Sequence, residues 1–399
     1  LSGRLTRPGR LAAYGTTVFA EMSALAAQLG AVNLGQGFPD SDGPGEVLEA
    51  AVDAIRRGAN QYPPGRGVPE LLQAIASHEQ RWWQQSYDPD SEILVTAGAT
   101  EAIAATILGL CQDGDEVVAF EPYYDSYAAT IELSGARRKV VALRAPRWDF
   151  DPAELEEAVT PATRVILLNT PHNPTGKVFS LGELEMIAGL CVERDLIAVT
   201  DEVYEHLVFD GTHVPLASLP GMRARTVKIS SAGKTFSATG WKIGWVLAPP
   251  PLLDAVKSVK QFLTYASGTP FQYAVATGLS MSDEYFRSAA AGLKARRDQF
   301  CDGLGSMGWS IERPQATYFA VIDIRQFGQD DGWAFCHSLV RDPGVAAIPI
   351  GVFCDDKAAG KSLIRFAFCK RPEVIDEAVK RLRSMRLTPE RQDGQRHRP

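Results

Sequence analysis

The chain has 399 residues, is 45% hydrophobic and 22% charged, and carries a formal net charge of −7. That is ordinary globular composition, long enough for a large core and two domains. The acid excess and the lack of a long basic run count against nucleic acid as a partner. No apolar run approaches the roughly 20 residues that span a bilayer, so no membrane partner is expected and a cytoplasmic address is the default.

The first element is VFAEMSALAAQLGAV, which carries Glu21 at helical spacing and reads as an amphipathic helix, not a signal peptide. The N-terminal 35 or so residues have no strand partner nearby and are expected to cross to a distant part of the fold. NQYPPGRGVPE, with Tyr62, reads as an ordered loop between helical segments. From about 90 to 250 short apolar runs alternate with helical patterns: EILVTAG, DEVVAF, RKVVAL, RVILLN, LIAVTDE, TVKISS and IGWVLA, with ATEAIAATILGLCQ and LGELEMIAGLCVERD among the helices. Strands apolar on both faces and alternating with helices predict an α/β fold, a mainly parallel sheet covered on both sides. Such a sheet binds ligands at the carboxyl ends of its strands. After about 275 the pattern changes to α+β. A polar helix, EYFRSAAAGLKARRDQFCDGL, leads into strands TYFAVIDI, VAAIPI and LIRFAF and a closing helix, PEVIDEAVKRLRSM. The expected division is a large domain at 36–275, a smaller one built from 1–35 and 276–390, and a disordered tail at 391–399.

The cysteines, Cys111, Cys191, Cys301, Cys336, Cys354 and Cys369, are scattered with no CxxC pair and read as reduced core thiols. The histidines form no HExxH or paired spacing, so no metal site is expected.

Four strand ends carry unusual residues. In VTAGATEAI a strand runs through a glycine into a helix. It is either a tight turn capped by Thr100, or an anion cradle made by the amides of Ala99 and Thr100. NTPHNPTG is a rigid turn presenting Asn173, with X-Pro bonds at 171 and 174 open to the cis form. TDEVYEHL sets Asp201 at a strand end and Tyr204 three residues on. An acid buried there is costly unless it meets a cation or a proton; the alternative is an aspartate that caps a turn. SSAGKTFSATGWKIGW places Lys234 directly after a strand among small residues, and Lys242 eight residues later. A lysine in a desolvated site loses its proton and becomes a nucleophile toward a carbonyl; the alternative is a solvated loop. In combination, a phosphate cradle, an Asn turn, an Asp-x-x-Tyr and a lysine describe a site for an aromatic aldehyde phosphate, pyridoxal 5′-phosphate.

On these motifs, together with NLGQGFPD, NQYPPGRG and LIRFAFCK, the sequence resembles the fold-type I, class I/II aminotransferases from residue 33 to 370. Asp201 follows Asn173 by 28 residues and Lys234 follows Asp201 by 33, as in that family. Within it the chain is most similar to the subgroup of kynurenine/glutamine and N-succinyldiaminopimelate aminotransferases. The resemblance implies a three-layer α/β/α large domain and a role for each site residue. Lys234 resembles the lysine that anchors the cofactor and moves the substrate proton. Asp201 resembles the aspartate that keeps the pyridine nitrogen protonated. Tyr204 and Asn173 resemble the hydrogen-bonding pair at the 3′-oxygen, and Tyr124 the ring-stacking aromatic. Ala99, Thr100, Ser231 and Lys242 resemble the phosphate cup, and Arg365 the grip on the substrate α-carboxylate. Gly37 and Phe38 resemble the loop that closes over substrate. Tyr62 resembles a tyrosine reaching the neighbouring subunit's phosphate, which implies a homodimer.

Lys242 stands where many members of the class have arginine. No arginine lies between Gln261 and Phe271 to receive a side-chain carboxylate, which counts against aspartate as donor. The cations considered for a distal carboxylate are Arg10, Arg66 and Lys260. The expected activity is N-succinyl-LL-2,6-diaminopimelate:2-oxoglutarate aminotransferase, in lysine biosynthesis. The alternatives are a kynurenine, glutamine or methionine aminotransferase, or a cysteine-conjugate β-lyase.

Overall fold

The computed structural model describes Gly15 and residues 17–385. The tail expected to be disordered at 391–399, residues 1–14 and 16 of the N-terminal segment, and with them Arg10, lie outside the described residues.

Helix α1 (Val18–Leu29) is capped by the Thr17 hydroxyl and stopped by Gly30 in the left-handed region. Strand β1 (Val32–Asn33), helix α2 (Gly45–Arg56) and helix α3 (Pro69–Trp83) follow. Next come β2 (Ile93–Thr96), α4 (Gly98–Leu110), β3 (Glu116–Glu121), α5 (Asp125–Ser134), β4 (Arg137–Ala142), α6 (Pro152–Ala158) and β5 (Thr163–Asn169). The alternation continues through α7 (Leu181–Glu193), β6 (Ile197–Asp201), β7 (Thr226–Ser231), the single turn α8 (Ala232–Thr235) and β8 (Gly244–Leu247).

These strands form one seven-stranded sheet in the order β2-β8-β7-β6-β5-β3-β4. It is parallel except for β8, which runs antiparallel to both neighbours. The inner strands are buried on both faces, as the unbroken apolar runs predict. Helices α4 and α5 pack on one face over Val117, Val165, Leu167 and Val199. Helices α6 and α7 cover the other over Val118, Ile166, Leu168 and Ala198. The fold is a three-layer α/β/α arrangement.

Beyond β8 lie α9 (Pro250–Leu263), α10 (Thr269–Leu279), α11 (Asp283–Gly305), β9 (Phe319–Asp323), α12 (Gly332–Arg341), β10 (Val345–Ala346), β11 (Ile348–Pro349), β12 (Leu363–Ala367) and α13 (Pro372–Arg383). Strands β11-β12-β9 make a separate antiparallel sheet. VAAIPI is therefore not one strand but two. Its first half pairs with β1, Val32 opposite Val345, and its second half pairs with β12. Two sheets pull the run apart at Ala347, a division no local pattern announces. The β1–β10 pair links the N-terminal segment to the C-terminal part. All six cysteines are buried and unbridged.

Candidate active site

The turn after β2 and the carboxyl ends of β5, β6 and β7 open onto one cavity of about 1070 Å3. Lys234 lines it from α8, the turn directly after β7. Its ammonium stands 5.7 Å from the ring centroids of both Tyr204 and Tyr318. Among the described residues no carboxylate forms an ion pair with it. Removal from water, helped by the nearby Arg365 and Lys242 cations, pulls its pKa down to about 8.

Asp201 ends β6 and is buried. Its carboxylate accepts the Tyr127 hydroxyl at 2.5 Å and the Val203 amide at 3.4 Å. Burial raises its pKa to about 6 against those two hydrogen bonds. Asn169 ties this strand end to the next turn: its side-chain amide donates to the Asp201 carbonyl at 2.8 Å, and its oxygen accepts the Asn173 N–H at 2.7 Å. Both X-Pro bonds of the turn, Thr170–Pro171 and Asn173–Pro174, are cis. Gly176 closes it at φ +73°, where a Cβ would fall 2.4 Å from Pro314.

The turn aims Asn173 at Arg365 on β12, 192 residues away, whose Nη1 donates to the asparagine oxygen at 3.0 Å. Arg365 Nη2 donates to the Gly35 carbonyl at 3.1 Å, while Nε is buried without a partner. The guanidinium lies 4.1 Å from the Phe319 ring centroid, with Phe353 and Phe19 within 5.2 Å. Burial lowers its pKa to about 10. A buried cation walled by aromatics, lining the cavity and with a donor still unpaired, is built for an anion.

At the opposite end α4 begins at Gly98. Its N-cap is Ala97, which offers no side-chain bond, so the first-turn amides are open. Thr100 is therefore a cavity-lining residue and not the cap. Gly98 has φ +78°, and a Cβ there would come 3.1 Å from the Lys242 ammonium. Helix N-terminus and ammonium converge, with Ser231 beside them in the cavity wall. Lys242 is itself left-handed, with φ 55°.

Tyr124 lines the wall, edge-on to Tyr127 at 5.8 Å, and burial raises its pKa. Tyr204 is buried edge-on to Tyr318, and burial pushes its hydroxyl upward too. Gly37 sits against Phe319 so closely that a Cβ would fall 2.7 Å from the ring, and its carbonyl accepts the Tyr318 hydroxyl at 2.7 Å. Phe38 lines the mouth. Tyr62 lies outside the cavity, 83% exposed and edge-on to Tyr265.

Two of the distal-carboxylate candidates are corrected. Arg66 turns inward to the carbonyls of Pro89 and Ile93, and buried Lys260 donates to the carbonyls of Gly65 and Tyr265. Neither lines the cavity. The sequence reading missed Tyr127, Asn169, Tyr318 and Phe319. Only Tyr127 carried a local signal, one helical turn past Tyr124.

Behind β6 and β7 lies a second buried ionic cluster. Lys228 Nζ is 2.8 Å from both Glu79 and Glu205 and 3.7 Å from Glu202. His213 bonds Glu202 at 2.8 Å, Ser230 donates to Glu205 at 2.5 Å, and His78 meets His206 at 2.7 Å. Glu202, Glu205 and His213 could together hold a metal, but the Lys228 ammonium stands among them.

The cavity fits pyridoxal phosphate on its own chemistry. Among the described residues no basic side chain pairs with Asp201, a buried anion suited to a pyridinium. The α4 terminus with Lys242 suits the phosphate, and Lys234 suits the aldehyde.

The chain belongs to the class I and II aminotransferases: the profile of that family matches residues 30–382. It is a pyridoxal-phosphate-dependent enzyme of that class, acting on amino acids and 2-oxo acids. Among particular proteins it is similar to the probable N-succinyldiaminopimelate aminotransferase DapC of Mycobacterium tuberculosis, 50% identical over 94% of this chain and 97% of that one. The solved structure of the M. tuberculosis N-succinyldiaminopimelate aminotransferase superposes with TM-score 0.93 over 95% of this chain and 99% of that one. The methionine aminotransferase of Escherichia coli is 40% identical over 94% of this chain and 97% of its own length. Among the described residues no helix is long and apolar enough to cross a membrane.

Proposed function

We propose that the enzyme takes the amino group of N-succinyl-LL-2,6-diaminopimelate and passes it to 2-oxoglutarate in a ping-pong cycle. The observation that carries this reading is the cavity: about 1070 Å3 is at the upper end of ligand sites, room for the cofactor and a long amino acid behind it. Half-identity to the M. tuberculosis relative over nearly all of both chains supports the same donor.

Each residue then has a task. Arg365, with Asn173 at its side, receives the substrate α-carboxylate and fixes the Cα. Lys234, with a pKa near 8, has a free amine in reach of neutral pH; it takes the Cα proton and returns it at the other end of the reacting system. Pyridoxal phosphate supplies the electron sink for the carbanion left at Cα. Asp201 stabilises a protonated pyridine nitrogen, with Tyr127 holding its carboxylate in place. Tyr204 would hold the cofactor through its hydroxyl, and Tyr124 would supply an aromatic wall beside it. Ala99, Thr100, Ser231 and Lys242 bind the phosphate. Gly37 and Phe38 shield the substrate from water.

The same reading makes the enzyme a cytoplasmic homodimer, with exposed Tyr62 meeting the neighbouring subunit's phosphate. It also divides the chain at 36–275 from the remainder.

A half-reaction screen tests the donor. Loss of the cofactor's visible band is followed with N-succinyl-LL-2,6-diaminopimelate, methionine, kynurenine, glutamine and a cysteine conjugate. The highest kcat/KM is expected for the first. A preference for methionine or kynurenine overturns the donor, and pyruvate with ammonia released without an acceptor replaces transfer by β-elimination.

A further inference from the structure

With Arg66 and Lys260 turned away, the cations among the described residues that could meet a far carboxylate are two lysines on the cavity wall. Lys357 and Lys361 both line the cavity, in the segment between β11 and β12. That segment doubles back on itself. Gly360 packs on Gly351, another cavity-lining residue, so tightly that a Cβ would fall 2.8 Å from the Gly351 nitrogen. The closure fixes the two lysines at the rim.

Both ammonium groups have capacity to spare. Lys357 Nζ donates to the Cys354 carbonyl at 2.6 Å, which uses one of its three donors. Lys361 pairs with Asp330 at 3.0 Å, but the two side chains are 52% and 77% exposed. A pair so open to water is worth about 1 kcal/mol or less, so an arriving carboxylate can take Asp330's place. The acid on the rim itself, Asp331, is engaged in capping α12 through the Ala334 amide at 3.0 Å. Trp333 adds an apolar wall beside them.

Lys361 lies in the turn that leads into β12, four residues ahead of Arg365, and both residues line the same cavity. Extended chains advance about 1.2 Å per bond. In the donor proposed above, ten bonds separate the carboxylate beside the reacting amine from the succinyl carboxylate, about 12 Å at that advance.

We propose that Lys357 and Lys361 form the distal carboxylate subsite, selecting amino acids that carry a second carboxylate about 12 Å from the first. This rests on the donor proposed above, and its test separates the two.

Decanedioate, with carboxylates about 11 Å apart when extended, and decanoate, with only one, are titrated by calorimetry into the pyridoxal-phosphate-loaded enzyme. The wild type and the Lys357→Gln/Lys361→Gln double variant are compared. The preference for decanedioate over decanoate is expected to fall about five- to tenfold in the variant, the size of two exposed charge contacts. A preference unchanged within about twofold, equal affinity of both probes for wild type, or parallel loss of both in the variant overturns the subsite. If the preference falls but N-succinyl-LL-2,6-diaminopimelate gives no half-reaction in wild type, the donor assignment fails and the subsite stands.

Discussion

Lys228 and Lys234 stand six positions apart, one inside β7 and one in the turn that follows it. Burial pushes the pKa of both downward. At Lys228 the carboxylates of Glu205, Glu79 and Glu202 overwhelm that push and hold the ammonium well above its ordinary value. Lys234 has no such company, and its pKa drops to about 8. Desolvation without a counter-ion makes a base, whereas desolvation with three carboxylates makes a structural cation. The sequence weaves the two sites together: Asp201 and Tyr204 face the cavity, while Glu202 and Glu205 face Lys228.

Removing each lysine in turn is the sharpest way to break this contrast. Lys234→Ala should cost about 10^4-fold or more in single-turnover rate and should not lower the urea midpoint of the cofactor-free protein, since no carboxylate loses a partner and a desolvated ammonium is removed. Lys228→Met should do the reverse. It leaves buried carboxylates unpaired and should cost about 3–5 kcal/mol of stability, read from urea unfolding. Glu79→Gln should recover part of that loss, because burial and the Glu205 charge push the Glu79 carboxyl upward.

Arg365→Ala should raise KM for amino donors about 10- to 100-fold while cofactor content by absorbance stays intact. An apo-protein would show that Arg365 supports the cofactor instead.

The smallest effect is in pH. In cofactor-free protein the folded pKa of Lys234 lies below the ordinary 10.5. The folded state therefore carries the cost of a desolvated ammonium below about pH 8, and sheds it as pH rises from there toward 10.5. Acylation of Lys234 by an amine reagent should climb through about pH 8, with Lys228 unreacted until the protein unfolds. Equal labelling of both would erase the distinction.

The sequence made much of the sheet and half of this contrast legible. Apolar runs marked the strands, and the residues just past them marked Lys234, Asp201 and Asn173, because a parallel sheet gathers its ligands at one end. Arg365 became readable only through resemblance. Its local strand says nothing about Asn173, 192 residues away, or Gly35, 330 away. Tyr318 and Gly37, 281 residues apart, left no local trace either. The cluster behind the site did leave one: a lysine in the middle of TVKISS, a strand apolar enough to be central, demands buried acids. TDEVYEHL supplies two of them on the face opposite Asp201, and the third, Glu79, comes from α3.

Borohydride reduction of the yellow holoenzyme, followed by peptide mass mapping, tests the central claim most directly. The account predicts a single reduced pyridoxyl adduct, on Lys234. An adduct on Lys228 or Lys242, or no adduct at all, would contradict it.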